Sequence, residues 1–274
     1  MFSIEIECPA EQTDVLIAEL WEAGSAGIVE LNGGLRAFFE NDAPREELLV
    51  QFGARSCRQE DDRDWIADSR AGFDPMCVGA RFFLVPEWRS DPAPEGRFRI
   101  AVNPGMAFGT GRHETTQLCL EALEIYARPG VSLLDVGTGA GILAQAGALL
   151  EAAPVWACDI DPEAVEIARA NAGPHLFIGS VDAVRGGAAG LIAANISPEA
   201  IVQLAPDLLR ALAPGGVALV SGFNAVEIPA VESALAAHGA TILEIRQKGD
   251  WAMLAVGVKL LKGVSDVHHQ TPIS

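Results

Sequence analysis

The amino-acid sequence predicts an α/β protein: a doubly wound, mostly parallel sheet with an antiparallel last strand, preceded by a small α+β domain. Three observations support this prediction. A glycine-rich turn joins an apolar strand to an apolar helical segment within residues 133–150. From there to residue 258, strand and helix patterns alternate regularly, which is typical of a parallel sheet. The first 60 residues have the order strand, helix, strand, strand, helix, strand.

The first 60 residues are predicted to form a ferredoxin-like domain. FSIEIE (2–7) alternates apolar and charged residues as a half-buried strand does, and Asn32-Gly33-Gly34 forms the turn of a hairpin. Apolar residues at helical spacing predict the two helices. In chain order the elements are strand 2–7, helix 10–22, strands 27–30 and 35–40, helix 45–52 and a strand near 54–57.

A charged stretch, RQEDDRD (58–64), has too few apolar residues to pack, so it marks a linker. A short helix is predicted directly after it, at 65–70. The last residues of the chain show no apolar period and are predicted to be flexible. The predicted division is a domain at 1–60, a linker at 61–74, a domain at 75–262 and a tail at 263–274.

Strands and helices alternate in the predicted large domain. Its last two strands are joined by residues 247–250, too few for a helical crossover, so these strands should be antiparallel neighbours. We expect two early strands, 82–88 and 97–102, to precede this domain and to decorate its sheet. The other elements are helix 113–126, strand 133–136, helix 142–150, strand 155–158, helix 162–171, strands 175–178 and 191–194, helix 199–212, strand 217–221 after a turn at 214–216, helix 226–238, and strands 241–246 and 251–258.

Charge and composition exclude several functional classes. A formal net charge of −18 disfavours nonspecific binding to nucleic acid and favours cationic partners such as lysine-rich proteins. No apolar segment reaches the roughly 18 residues of a membrane helix, and the first residues carry glutamates in place of a basic leader. We therefore expect no membrane association and a cytoplasmic location.

The cysteines give no sign of a metal site. The five are odd in number, widely spaced and without a C-x-x-C pair. We expect each to be a small core residue in a reducing compartment, and we predict no metal ligands.

The glycine-rich turn holds Gly137, Gly139 and Gly141 between the predicted strand and helix. Glycine allows the backbone to turn at positive φ and lets a ligand approach where a Cβ would clash. A dinucleotide fingerprint needs a further glycine at position 142, which is Ile142. The spacing therefore indicates a Rossmann-like nucleotide site but not the usual NAD form. A simple turn remains the alternative.

Two carboxylates flank this turn. Asp159 ends the next strand, where an acidic group can bind ribose hydroxyls, although a solvated strand end is the alternative. Asp135 lies just before the turn, where it can pin the glycine loop or face a cationic ligand. Asp161 precedes a proline and is predicted to be a helix N-cap.

The segment before the helix at 113–126 is polar and contains three glycines. Thr115 and Thr116 in the first turn can bind a carboxylate or cap the helix. His113 can bond substrate or cofactor, or anchor the loop. Phe108 and Trp251 are candidates for cation–π contact with a cationic ligand, with core packing as the alternative.

Asn195 follows the fourth parallel strand, where open α/β sheets place reactive groups. Its amide carbonyl can accept a hydrogen bond from a substrate amine and thereby orient the lone pair of the amine nitrogen. The alternative is an N-cap role, because Ser197 and Pro198 begin a helix. The motif N-P-P-Y, which occupies this position in proteins that modify glutamine side chains or nucleobases, is absent. Its absence disfavours both kinds of substrate.

The glycine turn with its two carboxylates resembles motif I and its acidic partner in class I S-adenosylmethionine-dependent methyltransferases. A wider set of motifs resembles the ribosomal protein L-eleven (L11) methyltransferases, the PrmA family, over roughly residues 64–257. These motifs are NPGMAFGTGRHETTQLCLEALE, DVGTGAGILA, ACDIDPEAV and AANISPEAIVQLAPDLLRALAPGG. The sequence departs from the pattern of this family at two places. Gly190 stands where an Asp often precedes the fourth strand. Ser197-Pro198-Glu199 replaces the small apolar residues that usually follow Asn-Ile, near the expected substrate entrance, so it bears on the substrate more than on the cofactor.

The resemblance implies the cofactor S-adenosylmethionine and contacts to it from Thr116, Gly137, Asp159 and Asn195. It also implies that the N-terminal domain grips a ribosomal protein, whose lysine ε-amines and N-terminal α-amine are methylated. With the residues argued above, the candidate cofactor-binding set is Phe108, Thr115, Thr116, Asp135, Gly137, Gly139, Gly141, Asp159 and Asn195, and the candidate catalytic set is Asn195 and His113.

The expected reaction is direct displacement, in which an unprotonated amine attacks the methyl group of the sulfonium. One alternative is a small-molecule N- or O-methyltransferase on the same fold. Another is a noncatalytic module that binds the cofactor or the ribosome. The sequence does not indicate an oligomeric state.

Overall fold

The computed structural model describes residues 1–9, 13–31, 33–59, 74–102, 111–172 and 175–258. The chain divides into two compact units, residues 1–72 and 73–274. The helix predicted at 65–70 and the tail at 263–274 lie outside the described residues, as does the linker at 61–74 except for its last residue.

The first unit is a four-stranded antiparallel sheet with two helices. The predicted order of strands and helices is present, and the sheet order is β2-β3-β1-β4. Central strand β1 pairs with both β3 and β4, and its alternate apolar residues Phe2, Ile4 and Ile6 are buried in the core of this unit. The elements are β1 Phe2–Glu7, α1 Thr13–Glu22, β2 Gly27–Leu31, β3 Gly34–Phe39, α2 Arg45–Gln51 and β4 Ser56–Gln59.

A three-stranded sheet opens the second unit. It consists of β5 Met76–Val78, β6 Phe82–Pro86 and β7 Phe98–Val102, in the order β5-β6-β7. These strands, expected to decorate the large sheet, form a sheet of their own and do not pair with it. Phe82, Leu84 and Ile100 belong to a core shared with helices that also contact the large sheet, so the strands cover these helices instead of lengthening the sheet.

The large sheet has seven strands in the order β10-β9-β8-β11-β12-β14-β13. The first five are parallel, and β14 is antiparallel to both β12 and β13, which confirms the predicted terminal hairpin. The strands are β8 Leu133–Val136, β9 Val155–Asp159, β10 Leu176–Ile178, β11 Ala189–Asn195, β12 Leu212–Asn224, β13 Ala240–Lys248 and β14 Trp251–Val258.

Helices cover both faces of this sheet, so its α/β doubly wound class is confirmed. Alternate residues of β8 enter different cores: Leu133 packs with α3 and α4, whereas Leu134 and Val136 pack with α6 and α7. The helices are α3 Glu114–Tyr126, α4 Ile142–Leu149, α5 Pro162–Ala172, α6 Pro198–Ala211 and α7 Ile228–Ala237. None of the helices in the described residues is long and apolar enough to cross a membrane.

The structure differs from three local predictions. The turn predicted at 214–216 is a bulge inside β12, because Leu212 pairs with Ala189 of β11 before it and Val217 pairs with Leu191 after it. The first turn of the helix predicted at 226–238 is a 3-10 turn, Ala225–Glu227. Cys77 is exposed and not in the core, because it lies on the opposite face of β5 from the buried Val78.

The strand order reverses between β8 and β11, which fixes the position of the site. From β8 the chain proceeds outward to β9 and β10, then crosses back to β11 and β12 on the other side. Loops that leave the carboxyl ends of β8 and β11 run in opposite directions and leave a crevice between them. The glycine turn and Asn195 follow these two strands.

Gly222 holds the β11 side of the crevice in place. The register of β12 shifts between Ser221 and Phe223, and the backbone N–H of Ile196 donates to the carbonyl of Ser221 at 3.0 Å. Gly222 has φ +104°, and a Cβ there would lie 2.1 Å from the carbonyl oxygen of Ile196. No side chain fits at this position unless one backbone moves.

We predict that Gly222→Ala lowers the free energy of unfolding by about 3 kcal/mol, through overpacking in addition to left-handed strain. The control is Gly215→Ala on the same strand, where φ is +77° but no atom lies within 4 Å of the added Cβ. That variant should lose only about 1 kcal/mol. Urea unfolding of both measures the difference, and equal losses would show that the contact with Ile196 is unimportant.

Candidate active site

A cavity of about 550 Å³ lies at the carboxyl ends of β8, β9 and β11. Its walls come from the start of α3, the glycine loop, the ends of β9 and β11, and the start of β14. Among the lining residues are His113, Thr115, Thr116, Gly137, Gly139, Asp159, Asn195 and Trp251. The structure therefore brings together eight residues that the sequence analysis selected from segments far apart in the chain.

The glycine loop adopts left-handed conformations that favour glycine. Gly137, Gly139 and Gly141 have φ of +69°, +52° and +82°. A Cβ on Gly137 would lie 2.3 Å from Cγ2 of Ile196. Gly141 is the N-cap residue of α4 and is not among the cavity-lining residues.

Asp159 connects the tip of β9 to the glycine loop. Its Oδ2 accepts a hydrogen bond from the N–H of Gly139 at 3.0 Å, and its Oδ1 accepts one from the N–H of Asp161 at 3.1 Å. Each carboxylate oxygen retains acceptor capacity, so Asp159 can also receive hydroxyl donors from the cavity. Asp161 accepts from the N–H of Glu163 at 2.8 Å, as its predicted capping role requires.

Asp135 lies beneath the loop and does not line the cavity. Its side chain is buried, and Oδ2 accepts from the hydroxyl of Thr138 at 2.7 Å and from the N–H of Ala144 at 3.0 Å. Of the two roles suggested by the sequence, this geometry gives Asp135 the role of pinning the loop. It ties both the turn and the first part of α4 to the end of β8.

Burial determines the protonation of Asp135. Desolvation raises its pKa to about 6, opposed by the hydrogen bonds from Thr138 and Ala144 and assisted by the charge of Asp159. Oδ1 has no hydrogen-bond partner among the described residues, so a proton can occupy it without breaking either bond to Oδ2. The same low-polarity surroundings raise the pKa values of Cys119 and Cys158 to about 12, which keeps both as thiols.

Asn195 is joined to the first turn of α3. Its Nδ2 donates to the hydroxyl of Thr116 at 3.2 Å, and both Thr115 and Thr116 are buried. Because the amide nitrogen is engaged, the carbonyl oxygen is the group left to accept a hydrogen bond. The N-cap of α6 is Ser197, whose hydroxyl accepts from the N–H of Ala200, so capping does not explain Asn195.

His113 is the N-cap residue of α3. Its Nδ1 accepts from the N–H of Thr115 at 3.3 Å and lies 2.7 Å from the hydroxyl of the same residue. Since a backbone N–H can only donate, Nδ1 is unprotonated and the neutral ring carries its hydrogen on Nε2. The ring also packs edge-on against Trp251, with centroids 4.4 Å apart. This geometry favours the anchoring role for His113.

Several cavity residues were not selected from the sequence, Ile160 among them, and one candidate, Phe108, cannot be placed. Ile160, directly after Asp159, lines the cavity and is 78% exposed. A large apolar residue directly after the end of a strand, where polar residues are usual, could have indicated a surface for a flat ligand group. Phe108 lies outside the described residues, as does most of the glycine-containing segment before α3.

Comparison with known proteins assigns the chain to a family. A family model described as "Ribosomal protein L11 methyltransferase (PrmA)" matches residues 35–259. The chain belongs to this family. It is therefore an S-adenosylmethionine-dependent methyltransferase, as the motif resemblance predicted.

Individual relatives agree with this assignment. Proteins named ribosomal protein L11 methyltransferase are similar to this chain in Pelotomaculum thermopropionicum, at 41% identity over 86% of this chain and 82% of that protein, and in Thermus thermophilus, at 35% identity over 94% and 100%. The crystal structure of the ribosomal protein L11 methylase from Lactobacillus delbrueckii subsp. bulgaricus superimposes with a TM-score of 0.64 and 33% identity, covering 69% of this chain and 100% of that one.

The cavity fits the cofactor of the PrmA family. The missing Cβ at Gly137 leaves backbone accessible, Asp159 offers a carboxylate for ribose hydroxyls, and Ile160 offers an apolar surface for the base. The start of α3 presents hydroxyls and N–H groups for the carboxylate of the methionine portion. The Trp251 ring, which lines the same cavity, suits the positive sulfonium.

We predict that Asp135→Asn changes the pH dependence of stability. Because the native pKa of about 6 exceeds the unfolded value near 3.8, the native state binds the proton more tightly. The stability that this group contributes is fully present below about pH 4 and is lost as the pH rises through about 6. Relative to the variant, the free energy of unfolding of the wild type should fall by about 3 kcal/mol as the pH rises from below about 4 to above about 6. Urea unfolding at a series of pH values measures this, and parallel curves would contradict the assignment.

For His113 the capping role predicts different effects of two substitutions. His113→Ala removes the cap and should cost about 1 kcal/mol of stability, whereas His113→Asn supplies another good capping residue and should cost much less. Turnover of His113→Asn should remain near that of the wild type. Thermal unfolding and initial rates test this, and a stable but inactive His113→Asn would show that the ring acts on substrate or cofactor.

Proposed function

We propose that the protein transfers methyl groups from S-adenosylmethionine to amino groups of ribosomal protein L11, on lysine ε-amines, the N-terminal α-amine or both. One observation supports this choice most strongly. Asn195 is held by Thr116 opposite the glycine loop, in a cavity that also fits the methyl donor. The names of the relatives supply the identity of the acceptor protein.

In this proposal the amide of Asn195 positions the acceptor amine. Its carbonyl oxygen accepts one N–H of the incoming amine, so that the nitrogen lone pair can point at the methyl group. The cofactor supplies an electrophilic methyl on a leaving group that departs as a neutral thioether. The protein therefore contributes mainly alignment, and alignment of two reactants can lower a barrier by about 7–11 kcal/mol.

The acceptor amine must lose a proton before it reacts. A lysine amine has a pKa of about 10.4 in water, and transfer into a cavity with apolar walls lowers that value. Ile196, Leu143 and Leu204 supply such walls. His113 does not take the proton, because Nδ1 is used by the cap and Nε2 already carries hydrogen. We infer that desolvation, followed by proton release to solvent, replaces a dedicated base.

We extend the proposal to the organisation and partners of the chain. Residues 1–60 would recognise the substrate and residues 75–262 would catalyse the reaction, joined by the linker 61–74 and followed by the tail 263–274. The net charge of −18 favours a basic protein substrate over direct contact with nucleic acid. A ribosomal protein substrate would place the reaction in the cytoplasm.

The direct test is to incubate the protein with S-adenosylmethionine and purified L11 and to analyse L11 by mass spectrometry. We expect mass increases in steps of one methyl group, located on lysine or the N-terminus. Extract from a strain that lacks the enzyme serves as a wider source of acceptors. Methylation of only a small molecule, or cofactor binding without turnover, would overturn the proposal in favour of the corresponding alternative.

We predict that Asn195→Ala lowers kcat by about 100-fold, because a misaligned amine loses most of the benefit of positioning. Affinity for the cofactor should change much less. Thr116→Val, which removes the partner of the amide but keeps the amide itself, should lose a smaller part of the activity. Steady-state kinetics with calorimetric cofactor binding checks both variants, and near wild-type turnover of Asn195→Ala would remove this residue from the mechanism.

A further inference from the structure

The first unit contains a second cavity, an open cleft of about 600 Å³ between α1 and α2. Leu48 and Phe52 are buried and form its floor. Glu19, Glu47 and Gln51 are exposed and form its rim. The cleft therefore has a narrow apolar floor and a mostly polar wall, with a carboxylate from each helix at its edge.

The charges of this unit are distributed unequally. Residues 1–59 contain eleven acidic residues and four arginines, with no lysine or histidine. All four arginines are already engaged with residues of the sheet: Arg36 and Arg58 pair with Glu5, Arg55 pairs with Glu7, and Arg45 stacks on Phe2 and donates to Gln59. In contrast, neither Glu19 nor Glu47 forms an ion pair with any residue in the part of the chain that the structure describes.

We propose that this cleft docks a lysine side chain from an exposed segment of the protein substrate. The methylene stem would lie on Leu48 and Phe52, and the ammonium group would lie between the carboxylates of Glu19 and Glu47. A lysine matches both features because its stem is apolar and its charge sits at the end. Val50, three residues after Glu47 on the same helix and 83% exposed, offers further apolar surface to the segment around that lysine.

This inference rests on the proposed function, since it assumes a protein acceptor, and it adds the surface that selects that acceptor. The docked lysine is bound by the first unit and is not the amine that reacts. Docking through exposed charges strengthens encounter and affinity without altering the reacting groups. Loss of the cleft should therefore raise KM for the protein and leave kcat unchanged.

The kinetic test uses the double variant Glu19→Gln with Glu47→Gln, which preserves shape and removes both charges. We expect KM for L11 to rise about tenfold, with kcat and the KM for S-adenosylmethionine unchanged. Added salt should raise KM of the wild type more than that of the variant. The matched control is Glu46→Gln, which removes the same charge from the adjacent position of α2 but does not line the cleft, and it should change KM less than twofold.

A second test does not depend on turnover. A carbodiimide joins a carboxylate to a contacting lysine amine without a spacer, so treatment of the full-length protein with L11 should link Glu19 or Glu47 to one lysine of L11. Mass spectrometry identifies the link, which should be absent from the double variant and retained in Glu46→Gln.

The outcomes separate the two proposals. If L11 is methylated and the double variant has the KM of the wild type, the cleft is not a docking site although the proposed function stands. If the cross-link forms but L11 is never methylated, docking stands and the proposed function fails. A higher KM without a cross-link to lysine would overturn the assignment of lysine as the occupant.

Discussion

The site depends on one constraint, the turn that follows β8, which must be tight, open on one side and rigid. Glycines with positive φ allow the backbone to turn tightly, where a side chain would be strained. Because they have no Cβ, they also leave the backbone open to a ligand. Rigidity comes from two carboxylates on opposite sides of the turn. Asp135 binds it from the buried side through Thr138 and Ala144, and Asp159 binds it from the cavity side through Gly139.

The two carboxylates show why similar residues in one motif have different roles. Asp135 is completely enclosed, so its charge is costly and its function is internal. Asp159 reaches the cavity, where a carboxylate can bind the loop and a ligand together. A sequence records both only as acidic residues beside glycines. The difference appears when the burial of each side chain is known.

Local patterns were sufficient for much of this fold and site. The glycine turn, the hairpin of β13 and β14 and the residues at the ends of β9 and β11 could be predicted because periodicity and turn length fix them over short distances. The independent sheet of β5 to β7 could not, since an apolar strand does not indicate which layer it will cover. The exposure of Ile160 and the tight approach of Gly222 to Ile196 also depend on contacts between distant segments.

The reversed direction of β14 has a consequence for how the protein is made. Parallel strands deliver their final residues to the crevice, but β14 runs the other way and delivers its first, Trp251, to the same wall. This residue begins the last strand of the sheet to be synthesised, and β14 also separates β12 from β13. During synthesis, a nascent chain that has reached β12 already contains the glycine turn and Asn195 yet lacks the aromatic wall and leaves a long strand edge unpaired. Assembly of the pocket therefore waits until β14 has been translated.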